Sequence, residues 1–196
     1  MITYLYILTG CRRGEIAGLK WSKINWEDHI ILIDCALLYS KEKGIYEGRT
    51  KSRKERYNSL NEILIPMFEE HLKNQQKLAE AIGAIWNMND YIFTQIDYRP
   101  INPTSITSWM SKFSKDIGLP HMNPHAFRHT FISILIANKT DIVTVTDLAG
   151  HGRVSSTKDI YSHIIMETKA KAMTDYGNFI LNVGLKNKKI EQGDSI

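Results

Sequence analysis

Residues 123–131 read NPHAFRHTF and place two histidines and an arginine at the start of a predicted helix. Asn followed by Pro is a helix-start signal, with the Asn as cap and the Pro in the first turn. His125 and Arg128 then lie on one face near the positive end of the helix, where unpaired backbone N–H groups favour an anion. A guanidinium binds a phosphate or carboxylate through two parallel hydrogen bonds. The stretch predicts an anion clamp, and a purely structural helix start stays open as the alternative.

The same stretch could also suggest zinc, because His125 and His129 are four residues apart. Position 126 is Ala, however, so the Glu of the metalloprotease motif is missing, and no third ligand is obvious in the sequence. We therefore expect no metal at this site.

Two other stretches carry residues that could work with such a clamp. TGCRRGEIAGL, at residues 9–19, puts Arg12 and Glu15 three apart, so that the carboxylate can orient the guanidinium. LAGHGRVSSTKDIYSHI, at residues 148–164, presents His151 on a sharp glycine turn, with Tyr161 in the next predicted helix. The ordinary alternatives are a surface ion pair for the first stretch and a half-buried packing Tyr for the second.

Residues 41–56, KEKGIYEGRTKSRKER, form the most basic part of the chain. Seven Lys or Arg against three Glu leave a local charge of +4, although the whole chain is only mildly basic, at +4 over 196 residues. Such a cluster can bind DNA phosphates. From charge alone, a solvated hairpin with protective surface charges is the alternative.

The spacing of apolar residues predicts a mainly helical α+β domain with one small sheet inserted early. A β-rich run at 29–38 predicts a buried strand, and the polar, glycine-containing region after it predicts two more strands of an antiparallel sheet. In the helix that begins at Pro124, the predicted apolar face consists of Phe127, Phe131, Ile134 and Leu135. Other helices are predicted from Arg13 to near Lys20, from Pro66, from Pro103 to a stop at Gly118, over 140–150, and after 155.

Composition limits the class of protein. Two cysteines without a CxxC motif suit buried thiols in a reducing cytosol. No run approaches the roughly 20 apolar residues of a membrane helix, and the short apolar start lacks the basic segment of a signal peptide. We expect a soluble intracellular protein without a membrane partner.

Taken in order, the motifs resemble the signature of the tyrosine recombinases, the phage integrase family. The resemblance runs from residue 3 to about residue 170 and is carried by Arg12 with Glu15, Lys51 in TKSRKER, HAFRH, LAGH and DIYSH. It implies the family's catalytic domain, mainly helical, with a small three-stranded antiparallel sheet near the N-terminal third. It also implies DNA cleavage and rejoining through a 3′-phosphotyrosyl intermediate, without metal or cofactor.

The resemblance assigns roles position by position. Arg12 and Arg128 match the phosphate-binding arginines, His125 and His151 the two histidines, Lys51 the strand-turn lysine and Tyr161 the nucleophile. Glu15 matches the supporting acid. RYNSL at 56–60 departs from the family's R-x-V-P-L, so Asn58 and Ser59 stand where Val and Pro are usual. Further DNA-binding candidates are Arg49, Arg53, Lys54, Arg56 and His129, and Lys54 is also the weaker candidate for the role of Lys51.

The resemblance also sets expectations for domains and partners. We expect a catalytic domain over 1–182 and a flexible tail over 183–196, with the N-terminal core-binding domain absent and the first helices open to truncation. The partner is double-stranded DNA, bound weakly and salt-dependently by this chain alone. The full-length protein is expected to form a tetramer on DNA, with accessory DNA-bending proteins as candidates, at the bacterial nucleoid in the cytoplasm.

Several functions compete with a phage or mobile-element integrase. A chromosome-dimer-resolving recombinase of the same family is the nearest alternative, and a truncated, non-catalytic DNA-binding remnant is the second. A metal-dependent nuclease predicts cleavage that a chelator abolishes. A type IB topoisomerase shares the chemistry but predicts relaxation without strand exchange.

Overall fold

The computed structural model describes residues 1–50, 55–83, 89–118, 120, 122–150 and 170–179. The chain divides into two compact units, Met1–Val154 and Ser155–Ile196. In the second unit, residues 170–179 form a helix. The expected boundary between residues 182 and 183 lies outside the described residues and stays a prediction.

The first unit is mainly helical with small antiparallel sheets, as predicted. No helix within the described ranges has the length and apolar character needed to cross a bilayer. Its described elements are, in chain order, α1 (Ile2–Thr9), α2 (Arg13–Ala17), a 3-10 turn (Trp21–Lys23), β1 (Ile24–Asn25), β2 (Ile30–Ile33), β3 (Cys35–Ser40), β4 (Gly44–Arg49), β5 (Arg56–Ser59), α3 (Leu64–Ile82), α4 (Pro103–Asp116), α5 (Pro124–Ala137) and α6 (Ile142–Leu148).

The predicted strand over 29–38 is divided in two by Asp34. The upstream half, β2, lies in the centre of a three-stranded antiparallel sheet with the order β1-β2-β5. The downstream half, β3, instead forms a two-stranded antiparallel hairpin with β4. The Asp34 carboxylate accepts from Lys23 Nζ at 2.7 Å, so the polar residue at the break has a partner. A single continuous strand was therefore the wrong prediction, although an antiparallel sheet in this region was right.

Local capping explains where two of the helices begin. Asn123 Oδ1 accepts from the backbone N–H of Ala126 at 2.9 Å, and Pro124 follows as the first residue of α5. Asn102 caps α4 in the same way, through the backbone N–H of Thr104 at 3.0 Å. Both starts agree with the sequence signals, because an Asn cap and a first-turn Pro act locally. By contrast, α2 ends at Ala17, earlier than the predicted end near Lys20.

The buried face of α5 agrees only in part with the predicted one, of which Phe127, Phe131 and Leu135 are half-buried. Its buried residues beyond Pro124 are Arg128, Ile132 and Ile136, whereas Ile134 is 52% exposed. Phe127 still packs against the core and stacks on Tyr6, with ring centroids 6.1 Å apart. The helix is therefore rotated so that an arginine points inward.

The core lies under these elements and fixes them relative to one another. Trp21 meets Phe68 of α3 edge to face, with centroids 6.1 Å apart, and its Nε1 donates to Gln75 Oε1 at 2.9 Å. Cys11 and Cys35 are both buried and unpaired by disulfide, as predicted. The least exposed large side chains are Tyr6, Phe68, Leu5, Ile16, Ile31, Ile33, Leu37, Leu64, Ile92, Ile106, Met110 and Ile132.

Candidate active site

Arg12 and Glu15 meet where the turn after α1 leads into α2. Arg12 is the last extended residue before the helix, with φ −75° and ψ 156°. Its backbone N–H donates to Glu15 Oε2 at 2.8 Å, and its Nη1 donates to Glu15 Oε1 at 2.9 Å. The predicted contact is confirmed. Because the Glu15 side chain is only 1% exposed, the contact is not an ordinary surface ion pair.

Arg56, at the start of β5, approaches the same carboxylate from the other side. Its Nη2 donates to Glu15 Oε2 at 2.7 Å and lies 3.4 Å from Cys11 Sγ. Its Nε donates to the carbonyl oxygen of Leu148, at the end of α6, at 3.1 Å. The side chain is 2% exposed. This placement corrects the expectation that Arg56 contacts DNA, because its Nε and Nη2 already donate to Leu148 and Glu15 inside the protein.

Arg128 reaches the site from the buried face of α5. Its Nη1 donates to the carbonyl oxygen of Gly10, 118 residues earlier in the chain, at 2.6 Å. Its Nη2 is buried and has no hydrogen-bond partner within the described residues. A buried donor without a partner is costly unless something pairs with it. Arg56 Nη1 is unpaired in the same way among the described residues, but Gly150 lies against it. Arg128 Nη2 is therefore the candidate ligand-binding atom.

Gly150 brings the end of α6 to these arginines. It adopts a left-handed conformation with φ 63°, and its carbonyl oxygen accepts from Arg12 Nη1 at 2.8 Å. The C-terminal carbonyls of a helix carry partial negative charge, and here two guanidinium groups meet them. A Cβ at position 150 would lie 2.5 Å from Arg56 Nη1, so this close approach requires glycine.

We call Arg12, Glu15, Arg56 and Arg128 the arginine cluster. Burial alone would raise the pKa of Glu15, but the hydrogen bonds and charges of Arg56 and Arg12 hold it below its ordinary value. Burial, together with the positive charges of Arg12 and Arg56, lowers the pKa of Arg128 to about 10. Three guanidinium groups face one carboxylate, which leaves two positive charges without a carboxylate partner among the described residues, in a largely buried place. A bound anion would relieve that imbalance.

The other predicted site residues divide into two groups. His125 and His129 are exposed on the first two turns of α5, and Arg49 is exposed at the end of β4. Among the described residues, no three His, Cys, Asp or Glu side chains are grouped so that they could hold a metal ion. Five predicted residues lie outside the described part of the chain, namely Lys51, Arg53, Lys54, His151 and Tyr161.

Three residues that support the cluster were not singled out from the sequence in this role. Gly10 and Gly150 contribute backbone carbonyls, and glycine spacing alone does not say which arginine will use them. Asn58 is 3% exposed, and its Nδ2 donates to the carbonyl oxygen of Thr9 at the end of α1 at 3.1 Å. Its signal was a polar residue two positions after Arg56, where the family usually shows Val.

Comparison with known proteins matches the sequence of this chain to a family. The sequence model described as the phage integrase family matches residues 1–168 of the chain. The chain belongs to the phage integrase family. These proteins are tyrosine recombinases, so the resemblance read from the motifs is confirmed.

Two relatives show how much of a phage integrase family protein the chain spans. The chain is 30% identical over 178 residues to a protein named tyrosine recombinase XerC-like, from Caldanaerobacter subterraneus subsp. tengcongensis, covering 84% of this chain and 45% of that protein. It is 32% identical over 171 residues to the ICEBs1 integrase of Bacillus subtilis, covering 86% of this chain and 45% of the integrase. The chain thus spans about half the length of these relatives.

The solved structures confirm the integrase-family fold. The Tn1549 transposon integrase in complex with transposon right end DNA superimposes with a TM-score of 0.75 at 22% identity, covering 89% of this chain and 57% of that one. The predicted fold class, a mainly helical tyrosine recombinase catalytic domain, is therefore confirmed.

Proposed function

We propose that the chain is the catalytic domain of a site-specific tyrosine recombinase, which cuts and rejoins DNA through a 3′-phosphotyrosyl intermediate without metal or cofactor. The observation that carries the proposal is the surplus of two positive charges in the arginine cluster, with Arg128 Nη2 buried and unpaired within the described residues. A phosphodiester is the anion that a DNA-acting member of this family would supply.

The charge requirement of the reaction agrees with that surplus. A phosphodiester carries one negative charge, and attack by a phenolate raises it to two in the pentavalent transition state. Fixed guanidinium groups at the nonbridging oxygens stabilise the second charge more than the first, which lowers the barrier. Arg12 and Arg128 are held in place by Glu15 and Gly10, so little reorganisation is needed when the charge develops.

The remaining roles follow the family's motifs. Tyr161 attacks phosphorus and forms the phosphotyrosyl bond while the 5′-oxygen leaves. His125 accepts the phenolic proton, and Lys51 donates a proton to the leaving 5′-oxygen. His151 joins Arg12 and Arg128 around the nonbridging oxygens. A 5′-hydroxyl of a second DNA end then reverses the attack, so that strands are exchanged without ATP.

We assign the recombinase to a phage or integrative mobile element, acting on double-stranded DNA in the bacterial cytoplasm as part of a tetramer of the full-length protein. The ICEBs1 integrase at 32% identity supports this assignment, while the XerC-like relative at 30% keeps chromosome-dimer resolution as the alternative. A recombination assay in the source cells separates the two. Deleting the gene should block excision of one element and leave chromosome segregation normal, whereas filamentous cells with unsegregated chromosomes would support the alternative.

The chemistry is tested by trapping the covalent intermediate. The purified chain is incubated at low salt with nicked duplex oligonucleotides, which lose the leaving strand after cleavage, and is resolved by denaturing electrophoresis. We expect a protein–DNA adduct that Tyr161→Phe abolishes. Tyr57→Phe is the matched control, because Tyr57 is 61% exposed on β5 and should leave the yield unchanged. Mass spectrometry of the digested adduct should identify the peptide that contains Tyr161.

The competing functions are separated by adding a chelator to this assay and by a parallel assay on supercoiled plasmid. Cleavage that a chelator abolishes would indicate a metal-dependent nuclease, and supercoil relaxation without strand exchange would indicate a topoisomerase. DNA binding without any adduct would indicate a non-catalytic remnant and would contradict the proposal.

A further inference from the structure

We infer that Arg56 is a positioning residue that orients Arg12 through Glu15 and ties the end of α6 to the same carboxylate, and not a DNA-binding residue. The inference rests on the proposed function, because the orientation of Arg12 matters to the chemistry only if Arg12 binds the reacting phosphate. It goes further in giving a positioning role to a buried cation to which the motif comparison assigned no part in catalysis.

Glu15 accepts hydrogen bonds from both Arg12 and Arg56. Its Oε1 accepts from Arg12 Nη1 at 2.9 Å, while its Oε2 accepts both from the Arg12 backbone at 2.8 Å and from Arg56 Nη2 at 2.7 Å. Arg56 therefore holds the carboxylate from the side opposite the Arg12 guanidinium. Without Arg56, that carboxylate would lose its hydrogen bond to β5 and could rotate, and the Arg12 guanidinium would rotate with it.

Arg56 and Arg12 also both donate hydrogen bonds to carbonyl oxygens at the end of α6. Arg56 Nε donates to the carbonyl oxygen of Leu148 at 3.1 Å, and Arg12 Nη1 donates to that of Gly150 at 2.8 Å. Both arginines thus connect Glu15 of α2 to the last turn of α6. The residue that follows Gly150 is His151, so the two contacts end immediately before a proposed catalytic residue.

The shape of the guanidinium explains why arginine is needed at position 56. Nε and Nη2 lie on one edge of a rigid planar fork and donate to different elements, which the single Nζ of lysine cannot do with the same geometry. Burial adds a second constraint, since the Arg56 side chain is 2% exposed and the Glu15 side chain 1%. An ion pair so enclosed is sensitive to small changes of geometry.

The test uses Arg56→Lys, which keeps the positive charge but loses the fork. At saturating nicked DNA, we expect adduct formation to slow by on the order of 10- to 100-fold, the usual effect of misplacing a catalytic group through its support. The DNA dissociation constant and its dependence on salt should stay at wild-type values. Arg99→Lys is the matched control, because Arg99 is 74% exposed beside Asp97, and it should change none of these quantities.

A second readout measures positioning without any catalysis. In hydrogen exchange of the DNA-free protein, we expect Arg56→Lys to increase exchange both in the α1–α2 turn and at the end of α6, at residues 10–16 and 146–150. A role confined to β5 would raise exchange in β5 alone. Because this readout needs no cleavage, an inactive wild-type protein would refute the proposed function, and the exchange data would still decide whether Arg56 holds the two segments.

Two results would overturn the inference. The first is an unchanged adduct rate at saturation for folded Arg56→Lys. The second is a weaker DNA affinity with a salt slope reduced by about one, the signature of a lost phosphate contact.

If Arg56→Lys does not fold, a double variant replaces it as the test. Glu15→Gln with Arg56→Met removes both buried charges together, which proteins tolerate better than the loss of one. Because Glu15→Gln already removes the carboxylate through which Arg56 orients Arg12, adding Arg56→Met should slow cleavage further only through the lost contact with Leu148, and so by less than an independent effect. A rate that falls by the product of independent effects would contradict the inference.

Discussion

The arginine cluster and the contact of Lys20 with Glu47 both pair a cationic side chain with a glutamate carboxylate at a similar distance, in different surroundings. Arg56 Nη2 lies 2.7 Å from Glu15, with the two side chains 2% and 1% exposed. Lys20 Nζ lies 3.0 Å from Glu47, with the side chains 21% and 45% exposed. Tyr91 also donates to Glu47 Oε2 at 2.9 Å. Distance alone would rank the two pairs as nearly equal.

The difference in burial makes the contributions of the two sites to stability unequal. At Glu47, water solvates either charge if its partner is removed, so the pair contributes little. At Glu15, water is excluded, and removing the carboxylate leaves buried guanidinium groups without compensation. The exposed pair can therefore change with little consequence, while the buried cluster holds α2, β5 and α6 in a single arrangement.

The largest expected effect is that of Glu15→Ala, which removes the only carboxylate of the arginine cluster. We expect the free energy of unfolding to fall by about 3–5 kcal/mol, the usual result of leaving a buried charge unpaired. This change is measured by urea denaturation, with circular dichroism as the signal. A loss below 1 kcal/mol would mean that the cluster is as well solvated as the exposed pair.

Gly150→Ala destabilises the same region by a steric clash rather than by the loss of a charge. The new Cβ would lie 2.5 Å from Arg56 Nη1, and the backbone would keep φ 63°. We expect a loss of about 2–4 kcal/mol, the sum of left-handed backbone strain and overpacking. Gly83→Ala is the matched control, since Gly83 has the same φ of 63° but a Cβ added there would meet nothing within 4 Å. If both variants lose equal stability, the contact with Arg56 is not tight.

Acid should weaken the buried cluster through Glu15. Its pKa lies below the ordinary value in the folded state because Arg56 and Arg12 outweigh the effect of burial. The stabilisation is therefore complete above the unfolded pKa of about 4.3 and is lost as pH falls through the folded pKa. The stability difference between wild type and Glu15→Gln should shrink on acidification. Thermal unfolding between neutral and acidic pH tests this, and a constant difference would refute it.

Glu47→Gln should have a much smaller effect, although it removes the same charge from an ion pair of similar length. We expect a loss of at most about 1 kcal/mol, because solvent screens the contact. Added salt should reduce this loss further while leaving that of Glu15→Gln nearly unchanged. Urea denaturation at low and high salt provides the comparison. Equal salt dependence in the two variants would show that burial is not what separates the regions.

The smallest effect is expected for Arg99→Lys. Arg99 is 74% exposed, and its partner Asp97 is two residues away, so the contact is local and surrounded by water. The melting temperature should not change measurably in differential scanning fluorimetry. A clear decrease would mean that this surface pair supports the fold.

The parts of the site that could be predicted from the sequence are those with local causes. Asn123 before Pro124 predicts the start of α5 because cap and helix are adjacent in the chain. The spacing of Arg12 and Glu15 predicts their contact because three residues span one helical turn. Both predictions were confirmed.

The parts that could not be predicted depend on residues far apart in sequence. The buried face of α5 includes Arg128, which an apolar pattern cannot select, because its partner Gly10 lies 118 residues earlier. Arg56 was read as part of a basic DNA-binding stretch, since Glu15 lies 41 residues away. The strand over 29–38 looked continuous, and only the different partners of β2 and β3 reveal the break at Asp34.

The hydrogen bond between Arg128 and Gly10 also limits when the arginine cluster can form during synthesis of the chain. A ribosome releases the chain from its N-terminus, so Gly10, Arg12, Glu15 and Arg56 emerge well before Arg128 and Gly150. Because contacts of such large sequence separation form only after both ends are available, a nascent or prematurely terminated polypeptide lacks the paired guanidinium groups.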